Sequence, residues 1–143
     1  MKLCDVNVLV YAHRPDASPD HQAYAEYVKS MCRDRSSFAI SENVLSGFLR
    51  VVTNHRIFKD PTPTDIALRF CRNLLGRPQA VVLRPGSRNW EIFSDLCSAV
   101  NARGNLVADA WQAALAIEYD CEWISTDGDF ARFPKLRWRH PLA

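Results

Sequence analysis

Three acidic residues each follow a short, mostly apolar run that the sequence pattern predicts to be a β-strand. They are Asp5, Glu42 and Asp127. The apolar character of these runs is continuous rather than alternating, which is typical of buried parallel strands. In an open parallel sheet, ligands bind at the carboxyl ends of the strands. We therefore expect these three carboxylates to lie close together in space, although they are far apart in the sequence.

A fourth acid, Asp109, lies in a segment that is otherwise apolar. Residues 106–117 contain one charged residue, Asp109, and one other strongly polar residue, Gln112. A helix that is apolar on nearly every side is typically buried, and a buried carboxylate without a partner is costly. Alternatively, Asp109 could lie in the first helical turn, where the helix dipole stabilises an anion by about 0.3–1 kcal/mol. That modest gain suits an exposed cap better than a buried site, so we favour a functional role.

Four carboxylates brought to one place would repel one another. Two such charges about 5 Å apart repel by roughly 3 kcal/mol at an effective dielectric constant of ~20. The cluster therefore requires either protonation or a bound cation. Oxygen ligands without histidine or cysteine favour Mg²⁺ or Mn²⁺ over zinc. The acids thus predict phosphate-ester chemistry, in which a divalent ion activates water and stabilises the leaving oxygen.

Polar residues beside these acids could support the site. Asn7 could orient Asp5 or a bound water through its amide, although an Asx turn or a helix cap explains it equally well. Ser125 and Thr126 could donate hydrogen bonds to carboxylates or phosphate, or could simply be hydroxyls at the end of a strand.

Two of the acids also have structural interpretations. Glu42 could be a first-turn acid on a helix that begins at Asn43. Asp129 lies two residues after Asp127, and it could be an auxiliary acid or could cap the turn formed by Gly128. Which acid of this pair faces a metal ion is left open by the spacing, and we choose Asp127.

The elements that must position these residues alternate along the chain. Strands are predicted at 2–4 with 6, 38–41, 80–84 and 121–126, with a short edge strand at 136–138. Helical periodicity of apolar residues appears within 23–32, 44–52, 66–74, 90–100 and 105–119. Strands that alternate with helices predict one α/β domain, residues 1–143, with a mainly parallel sheet.

Composition excludes several classes of protein. The 143 residues are 48% hydrophobic with a formal net charge of +2, which argues against disorder. No run approaches the ~18 apolar residues of a membrane span, and an acid precedes any stretch that could serve as a signal peptide. The five cysteines form no CxxC pair, so they are expected to be buried thiols of a cytoplasmic protein rather than zinc ligands.

Four motifs in this order resemble those of PIN-domain proteins, and VapC-type toxins of bacterial toxin–antitoxin pairs in particular. The motifs are Asp5-Val6-Asn7, Ser41-Glu42, Gly104-Asn105-Leu106-Val107-Ala108-Asp109-Ala110 and Ser125-Thr126-Asp127-Gly128-Asp129-Phe130. Each motif alone is weak, but four in this order and spacing are specific. The resemblance extends over essentially the whole chain.

The resemblance implies a five-stranded parallel sheet sandwiched between helices and a Mg²⁺- or Mn²⁺-dependent endoribonuclease. It implies a catalytic quartet of Asp5, Glu42, Asp109 and Asp127, with metal ligands Asp5, Asp109 and Asp127 and supporting residues Asn7, Thr126 and Asp129. It also implies a homodimer, a structured RNA substrate such as transfer or ribosomal RNA, and a cognate VapB-like antitoxin that blocks the site.

Two other functions compete with this interpretation. A Mg²⁺-dependent phosphatase is one, but such enzymes often use an Asp-x-Asp pair, and here Asn7 stands at the second position. A non-catalytic RNA- or protein-binding module on the same fold is the other. Clustered negative charge facing phosphates argues against that module, which would bind RNA without metal and leave it uncut.

Overall fold

The computed structural model describes residues 1–143 and confirms an α/β domain with five parallel strands. In chain order, the elements are β1 (Lys2–Cys4), α1 (Val6–His13), α2 (His21–Arg33), β2 (Phe38–Ser41), α3 (Glu42–Val52), α4 (Thr64–Leu75), β3 (Ala80–Leu83), α5 (Asn89–Val100), α6 (Asn105–Glu118), β4 (Glu122–Ile124), a 3₁₀ helix (Gly128–Arg132) and β5 (Arg137–Arg139). The strand order is β3-β2-β1-β4-β5, and every pairing is parallel.

The interior strands are apolar because helices cover both of their faces. All four residues of β2 are buried, as expected for a strand in a parallel sheet. Trp123 of β4 is fully buried and packs against Phe130 of the 3₁₀ helix. None of the helices combines the length and the apolar character needed to cross a bilayer.

The register of the central strands determines which side chains meet at the edge of the sheet. Cys4 of β1 is paired with Ile124 of β4. The residue that follows each of them, Asp5 on one strand and Ser125 on the other, therefore leaves the sheet beside its neighbour. The backbone N–H of Asp5 donates to the carbonyl of Ile124 at 2.8 Å and extends this pairing by one step.

The first strand is shorter than the sequence predicts, and the helix after it was not predicted. Val6 belongs to α1 rather than to β1. The change of structure occurs at Asp5, whose side chain accepts a hydrogen bond from the backbone N–H of Val6 and caps the helix. The apolar residues Val8, Leu9 and Val10 then form the buried face of α1. Strands β3 and β4 also end earlier than predicted, and α3 begins at Glu42.

Helix α6 is buried along only part of its length. Its buried residues begin at Ala110 and are mostly alanines, whose small side chains allow close packing against α5. The turn before Ala110 is more open, with Val107 37% exposed. Gly104 precedes the helix with φ +57, a conformation that favours glycine. The expectation of a helix buried on nearly every side is therefore correct only from Ala110 onwards.

Candidate active site

Asp5 is held in a fixed orientation by hydrogen bonds to both carboxylate oxygens. Its Oδ1 accepts from the backbone N–H of Val6 at 2.7 Å. Its Oδ2 accepts from the hydroxyl of Ser125 at 2.7 Å and from the amide Nδ2 of Asn7 at 3.2 Å. Three donors directed at one side chain restrict its rotation, so the position of this carboxylate is determined before any ligand binds.

Asn7 and Ser125 connect the chain after β1 to the chain after β4. The Oδ1 of Asn7 accepts from the backbone N–H of Thr126 at 3.3 Å, while its Nδ2 also donates to Ser125 Oγ at 3.4 Å. Ser125 Oγ accepts in turn from the backbone N–H of Asp127 at 3.0 Å. These contacts fix the distance between the two segments that carry Asp5 and Asp127.

The hydroxyl that contacts the acids belongs to Ser125 rather than to Thr126. Ser125 is fully buried, whereas Thr126 takes part only through its backbone N–H. The sequence shows two adjacent hydroxyls at the end of a strand, and only the register of β4 against β1 shows that Ser125 faces Asp5.

Asp127 and Asp129 have different surroundings. Asp127 caps the 3₁₀ helix by accepting from the backbone N–H of Asp129 at 2.9 Å, and it lines a cavity together with Asp5 and Asp109. Asp129 is exposed and lies outside that cavity. Of this pair, Asp127 is therefore the acid that shares a surface with the other two aspartates.

Asp109 is half-buried on α6 and lies beyond its first turn, which contains no acidic residue. The alternative that it is a first-turn acid is therefore wrong. Burial, followed by the negative charges of Asp127, Asp5 and Asp129, raises the pKa of Asp109 to about 6. A carboxylate with this pKa is mostly ionised at neutral pH, and its charge is then unfavourable because of burial and of the neighbouring negative charges.

The pKa of Asp5 reflects two opposing effects. Burial raises it, and the negative charge of Asp127 acts in the same direction. Hydrogen bonds from Ser125, Val6 and Asn7 lower it, because they stabilise the ionised carboxylate. The net result is a pKa above the ordinary value. For both Asp5 and Asp109 burial is the largest cause, and the charges of neighbouring aspartates add to it.

Two cavities meet at these carboxylates. One, of about 540 Å³, is lined by Asp5, Asp109 and Asp127 together with apolar residues of α1 and of the chain after α3. The other, of about 630 Å³, is lined by Asp5 and Asp109 together with residues of α5 and α6. Asp5 and Asp109 line both cavities, and we refer to these two adjoining cavities together as the groove.

The donor set fits a hydrated Mg²⁺ or Mn²⁺ better than a metal enclosed by protein. No three histidine, cysteine, aspartate or glutamate side chains are arranged as a ready-made set of ligands. Mg²⁺ commonly keeps several waters and binds through one or two carboxylates plus substrate phosphates. The aspartates in the groove supply such oxygen donors, and after burial the mutual repulsion of these carboxylates is a cause of the raised pKa of Asp5 and Asp109.

The fourth predicted acid, Glu42, is not brought into this cluster. Ser41 of β2 is paired with Leu83 of β3, so the residues that follow them, Glu42 and Arg84, leave the sheet together. They form a two-point ion pair, with Arg84 Nε 2.9 Å from Oε1 and Nη2 3.3 Å from Oε2 of Glu42. Glu42 lines neither of the two cavities that contain the aspartates. It lines a smaller one that shares Asn43, Trp111 and Gln112 with the cavity of α5 and α6, and its role as a catalytic acid stays a prediction.

Ser125→Ala is expected to destabilise the protein by about 1–3 kcal/mol, because a partly buried carboxylate loses a donor and the N–H of Asp127 loses an acceptor. The pKa of Asp5 should rise further, since the hydrogen bond from Ser125 lowers it. The loss should therefore be larger at pH 7 than at acidic pH, where Asp5 is protonated.

Urea denaturation of both proteins over this pH range measures the effect. Thr126→Ala is the matched control, because its hydroxyl makes no hydrogen bond and its backbone N–H is retained; it should cost less than about 1 kcal/mol. Equal losses for the two variants would contradict the role given to Ser125.

Comparison with known proteins agrees with this architecture. The PIN domain family model matches residues 2–136. Ribonuclease VapC43 of Mycobacterium tuberculosis is 48% identical over 141 residues, covering 98% of this chain and 95% of that protein.

Solved structures share the fold at lower sequence identity. VapBC2 from Rickettsia felis, bound to a DNA fragment from its promoter, has a TM-score of 0.71 at 19% identity, with 97% of both chains covered. VapC20 of Mycobacterium tuberculosis, described as a sarcin-ricin loop cleaving toxin, has a TM-score of 0.66 at 14% identity, covering 95% of this chain and 98% of that one. The chain therefore belongs to the PIN-domain family, among the VapC ribonucleases of bacterial toxin–antitoxin systems.

Proposed function

We propose that this ribonuclease is a Mg²⁺- or Mn²⁺-dependent endoribonuclease toxin that hydrolyses the backbone of a structured cellular RNA. The observation that carries the proposal is that Asp5, Asp109 and Asp127, from three separate segments, line one groove. Repulsion between these carboxylates, which after burial is a cause of the raised pKa of Asp5 and Asp109, supports a bound cation.

In this proposal, the chain's own residues hold and orient the reactants. One or two of Asp5, Asp109 and Asp127 would contact the ion directly and the others through its bound waters, and Ser125 and Asn7 would keep the carboxylate of Asp5 in place. A bound divalent ion supplies positive charge that lowers the pKa of the attacking water and stabilises the leaving oxygen. Hydrolysis forms one bond from water oxygen to phosphorus and breaks one P–O ester bond, and the leaving oxygen receives a proton.

The substrate class is proposed to be transfer or ribosomal RNA. The description of VapC20 as a sarcin-ricin loop cleaving toxin supports a structured RNA target for this fold. Two cavities of about 540 and 630 Å³ adjoin the aspartates, which is more space than a small phosphate monoester needs.

A VapB-like antitoxin is proposed as the inhibitory partner, and a homodimer as the assembled form. The similarity to VapBC2, in which toxin and antitoxin occur together, supports the partner. The antitoxin would block the site by covering the groove.

The cellular location is proposed to be the cytoplasm. All five cysteines are free and four of them are buried, which supports a reducing cytoplasmic location.

The test is cleavage of cellular RNA by the purified protein, followed by sequencing of the new RNA ends. We expect cuts at one or a few positions with Mg²⁺ or Mn²⁺ and none after chelation with EDTA. A phosphate monoester assayed in parallel should not be hydrolysed. Hydrolysis of the monoester alone would indicate a phosphatase, and RNA that is bound but uncut with metal present would indicate a binding module; either result contradicts the proposal.

A further inference from the structure

One of the two cavities beside the acids is lined by aromatic residues that the hydrolysis itself does not require. It is formed by α5 and α6, includes Trp90, Phe93 and Trp111, and has Asp5 and Asp109 in its wall. Its volume of about 630 Å³ lies within the usual range for ligand pockets. A nucleotide next to a phosphate at the carboxylates would therefore lie against aromatic rings.

Trp90 is unusually exposed for its size, with 69% of its surface accessible. The ring is supported from behind, because its centroid lies 5.4 Å from that of Phe93, and Phe93 packs edge-on against Trp111 at 5.1 Å. This support limits movement of the indole while much of its surface remains open. A supported, open ring beside a nuclease site is suited to stacking with a nucleobase.

Polar groups suited to a nucleotide occur in the same cavity and around it. The side-chain amides of Asn43 and Gln112 line the cavity, and each offers both a donor and an acceptor to the edge of a base. Arg88 precedes α5, and Arg103 precedes Gly104 in the cavity wall; both arginines are exposed. Their positive charge complements the phosphates on either side of a stacked base.

We propose that Trp90 stacks on an unpaired nucleobase adjacent to the scissile phosphate and so helps to select the position of the cut. This inference rests on the proposed ribonuclease function. It adds a requirement that the carboxylates alone do not impose. The base beside the cleaved bond must be able to unpair from the RNA helix and enter the cavity between α5 and α6.

The test uses a short RNA that carries the mapped cleavage site, and the same RNA with an abasic residue on either side of the cut. Trp90→Leu keeps an apolar side chain but removes the aromatic face, whereas Trp90→Phe keeps a smaller aromatic face. Base–aromatic stacking predicts a loss of about 5- to 150-fold in kcat/KM for Trp90→Leu and a smaller loss for Trp90→Phe. Leu75→Ala, at an exposed apolar residue of α4, is the control and should cleave at the wild-type rate.

An abasic residue at the stacked position should slow the wild-type protein by a similar factor, and Trp90→Leu should slow no further on that RNA, because both changes remove the same contact. A wild-type rate for Trp90→Leu, or full activity of the wild type on both abasic RNAs, would overturn the inference while leaving the ribonuclease function intact.

Light scattering is the second readout. Dissociation of a dimer by Trp90→Leu, with activity restored at high protein concentration, would assign the ring to contacts between subunits and would also overturn it. If the wild type cuts no RNA, the proposed function itself fails.

Discussion

Asp109→Asn is expected to abolish RNA cleavage while leaving the protein folded. The change removes the charge of one of the three aspartates that line the groove, but it keeps the shape and size of the side chain. No hydrogen bond from the protein lowers the pKa of Asp109, so the substitution breaks no internal hydrogen bond of that carboxylate. Removing one preorganised charge-stabilising group typically costs about 10²–10³-fold in rate, and we expect at least that loss in gel-based cleavage assays.

The same substitution is expected to stabilise the metal-free protein at neutral pH. The folded pKa of Asp109 is about 6, above its ordinary value of 3.8. Its contribution to stability is therefore fully present below pH ~4 and is lost as the pH rises through about 6. Two pKa units correspond to about 3 kcal/mol at most, and screening of this half-buried group by solvent reduces that to roughly 1–2 kcal/mol.

Thermal denaturation in EDTA from pH 4 to pH 8 measures this effect. The Tm of Asp109→Asn should exceed that of the wild type at pH 7, and the difference should shrink towards pH 4. Asp65→Asn, at an exposed acid in the first turn of α4, is the control and should change neither cleavage nor this pH dependence. Full cleavage activity in Asp109→Asn would refute the proposed site. An inactive and destabilised variant would instead indicate a structural role for Asp109.

Mg²⁺ and Mn²⁺ are expected to stabilise the wild-type protein substantially. At one hundred times the dissociation constant, a ligand that binds only the folded state contributes about 2.7 kcal/mol, which corresponds to several degrees in Tm for a chain of this size. The effect should weaken as the pH falls below about 6, because carboxylates must be ionised to bind metal and the pKa of Asp109 is about 6.

Differential scanning fluorimetry with and without metal checks this expectation. Asp109→Asn should show little or no shift at the same metal concentration, and Asp65→Asn should behave as the wild type. Equal shifts in all three proteins would mean that the ion binds elsewhere. The absence of any shift in the wild type would mean that the aspartates do not act as metal ligands.

Much of the fold was predictable because its signals are local and strong. The apolar runs at 38–41 and 80–84 give β2 at its observed bounds and β3 with one residue too many at its end. Helix α1 was not predictable in this way, because its β-branched valines favour strands. It forms because Asp5 caps it and because Val8, Leu9 and Val10 are buried in the domain core.

The candidate site was predictable only in part, because it depends on register. Continuous apolar strands place Asp5 and Asp127 at one edge of the sheet, and the apolar surroundings of Asp109 single it out. The pairing of Glu42 with Arg84 follows from the alignment of β2 with β3, which no local pattern in the sequence reveals. The role of Ser125 is hidden for the same reason, since it depends on β4 lying beside β1.

The way in which Asp5 is held has a practical consequence for anyone who needs an inert form of this ribonuclease. Every hydrogen-bond partner of its carboxylate is a donor: the N–H of Val6, the hydroxyl of Ser125 and the amide of Asn7. In Asp5→Asn the remaining oxygen can still cap α1 by accepting from the N–H of Val6, but the new NH₂ faces the NH₂ of Asn7, donor against donor. A silenced enzyme made there would therefore disturb the contacts that join Asp5 to Asn7 and Ser125. Position 109 carries no such burden, which makes Asp109→Asn the safer form for trapping uncut RNA and for production in a living host.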